Sequence, residues 1–289
     1  MLITAIDTIA REATLFAAIW FLVGGIDDLL VDLIYFSRRA YLQLLFPFRP
    51  PTDVSTLATP VPSGRIVIFV AAWDEAGVIG RMLRTALARF EHDDYRIYVG
   101  TYPNDPATIA AVAEVAELDQ RVRLVIGGVP GPTTKADCLN ALWRALLRDE
   151  AAEGVAPLGI ALHDAEDIVH PLELQVYARW LQHCATVQLP VLPLPHPRSR
   201  FVAGHYCDEF AEAHAKVLVV RQALGAGLPL AGVGCAIRRD VLDGIAAARG
   251  GAPFDATSLT EDYELGLTIS ARGAGCASRA SPNGPAARR

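Results

Sequence analysis

Apolar and polar positions change rhythm twice along the chain. From Ala13 to Ile26 the stretch ATLFAAIWFLVGGI carries no charge. Asp27, Asp28 and Asp32 then interrupt an apolar segment that runs on to Phe36, with Leu29, Leu30, Leu33 and Ile34 elsewhere around the same helix. The uncharged run is shorter than the ~20 residues of a bilayer span. Two readings stand: a membrane helix continuing into an amphipathic juxtamembrane helix, or a buried helical hairpin. The pattern predicts hydrophobic, membrane-associated helices over residues 1–46. It lacks the basic leader and small-residue cleavage site of a signal peptide. Arg38 and Arg39 follow the apolar stretch, which predicts a cytoplasmic position for the rest of the chain.

Residues 47–64, PFRPPTDVSTLATPVPSG, have linker composition. Beyond them the rhythm becomes that of strands alternating with helices. RIVIFVAAW, YRIYVGTY, VRLVIGG and LGIALH are β-branched and aromatic runs bounded by turn residues. Between them, Asp74 and Glu75 open a helix with Ile79, Met82, Leu83 and Leu87 on one face. Asn104-Asp105-Pro106 starts another over 106–118, a third follows Thr134, and a fourth is expected over 171–184. This alternation predicts an α/β fold, a mostly parallel Rossmann-like sheet with helices on both faces, over residues 65–272. From position 273 to 289 the composition predicts a disordered or truncated tail.

Charge changes the picture at the end of the fourth strand. Asp164, Glu166 and Asp167 crowd a tip where open α/β sheets bind ligands. Carboxylates this close raise one another's pKa unless a cation sits among them. Mg²⁺ or Mn²⁺ suits such hard oxygens and is commonly shared with phosphates. A solvated acidic turn leading into the next helix is the alternative. With a net charge of −6 and no basic patch, the chain is not read as a nucleic-acid binder. Its five cysteines (Cys138, Cys184, Cys207, Cys235 and Cys276) form no CxxC pair, which predicts free thiols and no structural zinc. His163 and His170 flank the acids, and His163 is expected to hydrogen-bond at the strand end.

Three further stretches carry candidate chemistry. In GPTTKADCLNAL, Thr133 or Thr134 caps a helix whose Lys135 is placed to meet a phosphate or to lie in solvent. In SLTEDYELGL, Glu261 and Asp262 open a helix, with Ser258 and Glu261 at capping-box spacing. They are either a cap or a carboxylate base beside a substrate. In LPLAGVGCAIRRDVL, Gly232 and Gly234 allow close backbone approach, and the spacing is not that of a dinucleotide fingerprint.

The order of these pieces resembles a family-2 glycosyltransferase of the GT-A fold. The stretches GGIDDLLVDLIY, GTYPNDPAT and HDAEDIVHP are similar to the bacteriophage-adsorption-protein-B type of inner-membrane glycosyltransferase within it. The resemblance implies that Ala72, Trp73, Asp74 and Glu75 line the nucleoside, with Asn104 or Asp105 in place of the family's usual Asp-rich segment. It implies that Lys135 and Asn140 edge the diphosphate and that Asp164 and Glu166, beside Asp167, hold the metal and diphosphate. Asp262, next to Glu261, then takes the acceptor proton, beside the Gly232–Gly234 segment. No QxxRW segment is found in the chain. The implied activity is metal-dependent, inverting transfer from a nucleotide-sugar, UDP-sugar first, to a polysaccharide or lipid-linked acceptor at the cytoplasmic face of the inner membrane. A non-catalytic membrane scaffold that keeps the nucleotide-binding core is the rival, and a nucleotidyltransferase a third reading.

Overall fold

A computed structural model describes residues 2–47, 64–195, 198–273 and 276–278. The expected linker lies almost wholly outside the described residues. Helix α1, Leu2–Leu45, is a single 44-residue rod instead of a hairpin, about 66 Å long at 1.5 Å per residue. No breaker interrupts it, because Gly24 and Gly25 are tolerated within a long run of good helix formers. Residues 4–30 are exposed, and only a stripe at 31, 32, 34, 35, 38 and 42 is half-buried. That spacing is one helical face, and it docks on the body, where Asp32 pairs with Lys216. Among the described residues α1 is the one helix long and apolar enough to cross a membrane by length and composition.

The body is built on a seven-stranded sheet. Its strands are β1 (Ile66–Ala71), β2 (Tyr95–Thr101), β3 (Val122–Ile126), β4 (Gly159–His163), β5 (Thr186–Gln188), β6 (Cys235–Arg238) and β7 (Cys276–Ser278), in the order β3-β2-β1-β4-β6-β5-β7. The four central and edge strands β3, β2, β1 and β4 are parallel, whereas β6 runs antiparallel to both β4 and β5. The short β7 pairs with β5 within the segment expected to be a disordered tail, so these three residues satisfy backbone groups that β5 would otherwise leave open.

Helices cover both faces. They are α2 (Ile79–Arg89), α3 (Pro106–Leu118), α4 (Lys135–Glu153), α5 (Glu173–Trp180), α6 (Arg200–Glu212), α7 (Leu218–Ala223), α8 (Arg239–Ala248) and α9 (Glu261–Ala271), with a π-helical segment, Ala213–Val217, joining α6 to α7. Strand alternation sorts the two cores. Ile66, Ile68 and Val70 join Ile97, Val99 and Leu83 on one side; Val67, Phe69 and Tyr98 join Leu139, Leu142, Trp143 and Ile245 on the other. Strand order reverses about β1, since β2 lies on one side of it and β4 on the other. The carboxyl ends of β1, β2 and β4 therefore open onto a crevice at a topological switch point.

Candidate active site

Six chain segments meet at this crevice. After β1, the chain does not enter a helix at Asp74 as the pattern predicts. Asp74 takes a left-handed backbone, φ 58°, and α2 begins only at Ile79. Its backbone amide donates to Asp105 Oδ2 at 2.7 Å, and the Glu75 amide donates to Thr108 Oγ1 at 3.0 Å. Asp105 also caps α3 by accepting from the Thr108 amide at 3.1 Å. Burial alone would raise its carboxyl, but these hydrogen bonds hold it below the usual range. Asp105 is thus a clamp between two loops, with its oxygens occupied, and Ala72 at the end of β1 is buried.

Asn104 has a parallel task. Its amide exchanges two hydrogen bonds with the Gly131 backbone, at 2.8 and 2.7 Å. Gly131 in turn lies against Trp73 and Tyr102, where an added Cβ would come within 2.6 Å of the Trp73 ring. Trp73 and Tyr102 meet edge to face, with ring centroids 5.1 Å apart. Tyr102 was not singled out by the pattern. Its hydroxyl pairs with that of Thr133 at 3.1 Å and so fixes the loop before α4.

Thr134, not Thr133, caps α4, in a reciprocal box with Asp137. The cap aims Lys135 into the crevice, where Nζ lies 2.5 Å from Asp164 Oδ1. Burial alone would lower the lysine pKa; Asp164, then Glu261 and Asp262, reverse this and raise it. The acidic turn and the Thr-Glu-Asp turn therefore act on one ammonium group. Asn140 does not edge this crevice. Its side chain is buried and holds both backbone groups of Phe254, at 2.8 and 3.1 Å.

The acidic trio is divided. Asp164 is half-buried and Glu166 exposed at the crevice. Asp167 turns inward, and its Oδ2 accepts from His163 Nδ1 at 3.0 Å and from the Asp164 amide at 3.1 Å. Of the three carboxylates expected at a metal, Asp167 is instead spent on supporting the turn. Behind it, Glu173 Oε1 lies 2.9 Å from His163 Nε2 and accepts from the Tyr177 hydroxyl at 2.9 Å. The Nε2 contact is an ion pair without good hydrogen-bond alignment. Burial would depress the imidazole, but Glu173 and Asp167 push its pKa up to about 10. A buried imidazole flanked by two carboxylates thus underpins the Asp164–Asp167 turn. Glu173 was invisible in the sequence because nothing local links it to a histidine ten positions earlier.

The remaining wall is the segment before β6. Gln188 is buried and fastens it, accepting from the Ala231 amide at 3.0 Å and donating to Val233 O at 3.0 Å. Gly232 and Gly234 there take positive φ, 71° and 58°. A Cβ on Gly232 would run into the Asp262 carboxylate, so only glycine lets the backbone pass so close. The predicted Ser258–Glu261 box is not formed. Thr260 occupies the N-cap position of α9 without a side-chain cap, and Ser258 Oγ accepts from the Thr260 amide instead. Burial, then the neighbouring Asp262 charge against a backbone hydrogen bond, leaves the Glu261 carboxyl raised.

The result is an uneven balance of charge. Glu75 is raised by burial and then by Glu166, Asp74 and Asp164. Glu75 thus feels Glu166, Asp74 and Asp164, while the Lys135 ammonium feels Asp164, Glu261 and Asp262, so these acids bear on one crevice. Among the described residues no three His, Cys, Asp or Glu side chains form a complete metal cage. The half-buried Asp164 and the exposed Glu166 do fit a Mg²⁺ or Mn²⁺ ion that takes its other ligands from water and phosphate.

A half-parallel sheet that reverses about β1, with carboxylates at the ends of β4 and at the start of α9, defines a GT-A nucleotide-sugar transferase domain. The chain belongs to the glycosyltransferase like family 2, whose sequence profile matches residues 62–282. It is 37% identical over 257 residues to bacteriophage adsorption protein B of Escherichia coli K12 and to bacteriophage N4 adsorption protein B of E. coli O157:H7. Each match covers 89% of this chain, but the chain spans only about a third, 34%, of either relative. Among solved structures it is similar to the mannosyltransferase PcManGT from Pyrobaculum calidifontis, in complex with GDP-Man and Mn²⁺. There the TM-score is 0.55 at 16% identity, covering 87% of this chain and 65% of that one. That likeness is one of fold.

Proposed function

We propose that this chain is the sugar-transferring domain of a membrane-anchored, inverting glycosyltransferase. It takes a nucleotide-diphosphate sugar, UDP-sugar first, and passes the sugar to a polysaccharide or lipid-linked acceptor. The observation that carries this reading is the Lys135–Asp164 contact, inside the field of Glu261 and Asp262. It supports one reaction centre built from three sequence motifs. PcManGT, which shares the fold, was solved with GDP-Man and Mn²⁺.

Asp164 and Glu166 are the residues to hold Mg²⁺ or Mn²⁺. When bound, the ion supplies Lewis-acid charge against the leaving diphosphate. Lys135 adds a point charge to the same phosphates, exchanging its Asp164 partner for them. The Trp73–Tyr102–Gly131 wall supports the nucleoside, with Asp74 and Glu75 in reach of the ribose. Asp105 and Asn104 hold that wall in place rather than touching the donor. Asp262 takes the proton from the acceptor hydroxyl as its oxygen attacks the anomeric carbon, and the diphosphate leaves from the opposite face. With one base and no protein nucleophile, configuration inverts.

Helix α1 is the membrane element in this reading. Its exposed residues 4–30 enter the bilayer, and its half-buried stripe and the Asp32–Lys216 pair fix the body close to the surface. Arg38 and Arg39 put that body on the cytoplasmic side of the inner membrane. Two experiments test these claims. The full chain in native membranes that hold the acceptor, given radiolabelled UDP-sugars and Mn²⁺, is expected to release UDP and pass label to the polysaccharide or lipid fraction, and Asp262→Asn to stop both while still binding UDP. Binding without turnover by the parent chain favours the scaffold reading instead. Carbonate extraction of membranes is expected to retain the full chain and to free a form lacking residues 2–45.

A further inference from the structure

A second cavity, of about 800 Å³, lies behind the Tyr102–Thr133 wall. None of the six crevice carboxylates lines it, nor does Lys135 or Trp73. Its bed is the adjacent pair Gly100 and Val125 at the ends of β2 and β3. One side is the face of α4 that carries Asp137, Ala141 and Arg144; the opposite side is the 249–256 segment. The volume falls within the range of small-molecule sites, roughly 300–1,000 Å³.

The lining is mixed in a way that selects a ligand. Arg144 is exposed on α4 and makes no ion pair or hydrogen bond among the described residues. Arg249 faces it from the end of α8, with one nitrogen donating to Pro253 O at 3.0 Å. Two carboxylates share the wall, and Arg249 acts electrostatically on one of them, Asp255. Asp137 Oδ2 accepts from the Thr134 amide and hydroxyl, and Asp255 Oδ1 from the Thr257 amide and hydroxyl. Tyr102 and Phe254 lie buried in the wall, and Phe254 is held in register by Asn140. Two arginines in the lining of a space of this size suit a phosphate group.

We propose that this cavity is a second small-molecule site, which takes a phosphorylated ligand of nucleotide size. Arg144 and Arg249 bind its phosphate, and the body lies between the α4 face and the 249–256 segment. The site is separate from the donor crevice and shares only the Tyr102–Thr133 wall with it. The inference does not depend on the transferase reading.

Isothermal titration of the full chain in EDTA tests it, with inorganic pyrophosphate and with ADP, GDP, CDP and UDP as probes. EDTA removes the divalent ion on which the donor crevice relies. At least one probe is expected to bind saturably. Arg144→Glu should weaken that binding about tenfold or more, the worth of one charge-assisted hydrogen bond. Ala141→Trp, which fills the cavity, should do the same, whereas Lys135→Met and Asp164→Asn should leave it unchanged. Arg144→Glu lies on an exposed face, and an unaltered melting temperature confirms its folding. It should also keep UDP binding in Mn²⁺, so failure here is separable from failure of the donor reading. No saturable binding by any probe overturns the proposal. So does binding that survives Arg144→Glu but is lost with Lys135→Met, since that places the ligand in the acid crevice.

Discussion

Lys135 Nζ reaches Asp164 Oδ1 at 2.5 Å across the gap between the first turn of α4 and the turn after β4. The two residues are 29 positions apart and are brought together by the placing of α4 and β4 in the fold. Two things make the contact. The Thr134–Asp137 box fixes where α4 begins, and the Asp167–His163 bond fixes where the Asp164 turn lies. Each end is therefore held by neighbours that do not themselves face substrate.

Lys135→Met removes the one ammonium group from the crevice while keeping the length of the side chain. One charge-assisted contact to phosphate is worth about 1.5–3 kcal/mol, so kcat/KM for the nucleotide-sugar should fall ~10- to 100-fold. The lysine also offsets carboxylate repulsion, so the apparent requirement for Mn²⁺ should rise in the same variant. Steady-state transfer over a Mn²⁺ series reads both effects. An unchanged KM and an unchanged metal profile would remove Lys135 from the site.

Glu261 and Asp262 are neighbours in sequence with different surroundings. Glu261 is buried and its carboxyl raised, while Asp262 is half-buried beside Gly232. Asp262→Asn is expected to cut kcat by at least ~10²-fold with little change in UDP affinity, as befits a general base. Glu261→Gln should cost far less in kcat, because its task is to shape the turn. Single-turnover transfer alongside UDP titration distinguishes them. If Glu261→Gln proves the more damaging, the two roles are exchanged.

Much of this was legible because the signals are local. Strand alternation revealed β1 to β4, and the Asp105-Pro106 start and the threonine before Lys135 marked their helices. The short strands β5 and β7, three residues each, and the antiparallel β6 carry no such pattern. The start of α2 was misplaced because Asp74 is held in a left-handed conformation by Asp105, 31 residues away. The roles of Asn140, Asp167 and Gln188 depend on partners that only the folded chain supplies. In each case a polar side chain with a plausible functional position is spent on backbone or on a buried charge, and sequence spacing cannot tell these uses apart.

Asn140 gives a direct check of that distinction. If it supports Phe254 rather than the diphosphate, Asn140→Ala should destabilise the fold and leave UDP affinity nearly intact. Two buried backbone groups lose their partners, which costs about 1–3 kcal/mol for each group left unsatisfied. Urea unfolding should show a lower midpoint with an unchanged slope. Loss of UDP binding at undiminished stability would return Asn140 to the donor site.

The far end of the sheet predicts a dependence on pH that is independent of the crevice. Glu153, in the last turn of α4, accepts from Arg96 on β2 and from Arg65 before β1, the latter at 2.9 Å. The Arg96 and then the Arg65 hydrogen bonds lower its pKa from 4.5 to about 2. A carboxylate whose folded pKa is depressed binds fewer protons in the native state than in the unfolded one. Its contribution is therefore fully present above the unfolded value of 4.5 and is lost as pH falls toward 2. Glu153→Gln abolishes this contribution at every pH. The parent and variant melting temperatures should thus differ most at pH 6–7, converge steadily below pH 4.5 and meet near pH 2. Thermal unfolding followed by circular dichroism across that range measures the convergence. A gap between the two proteins that stays constant down to pH 2 would mean that the clamp acts through shape and not through charge.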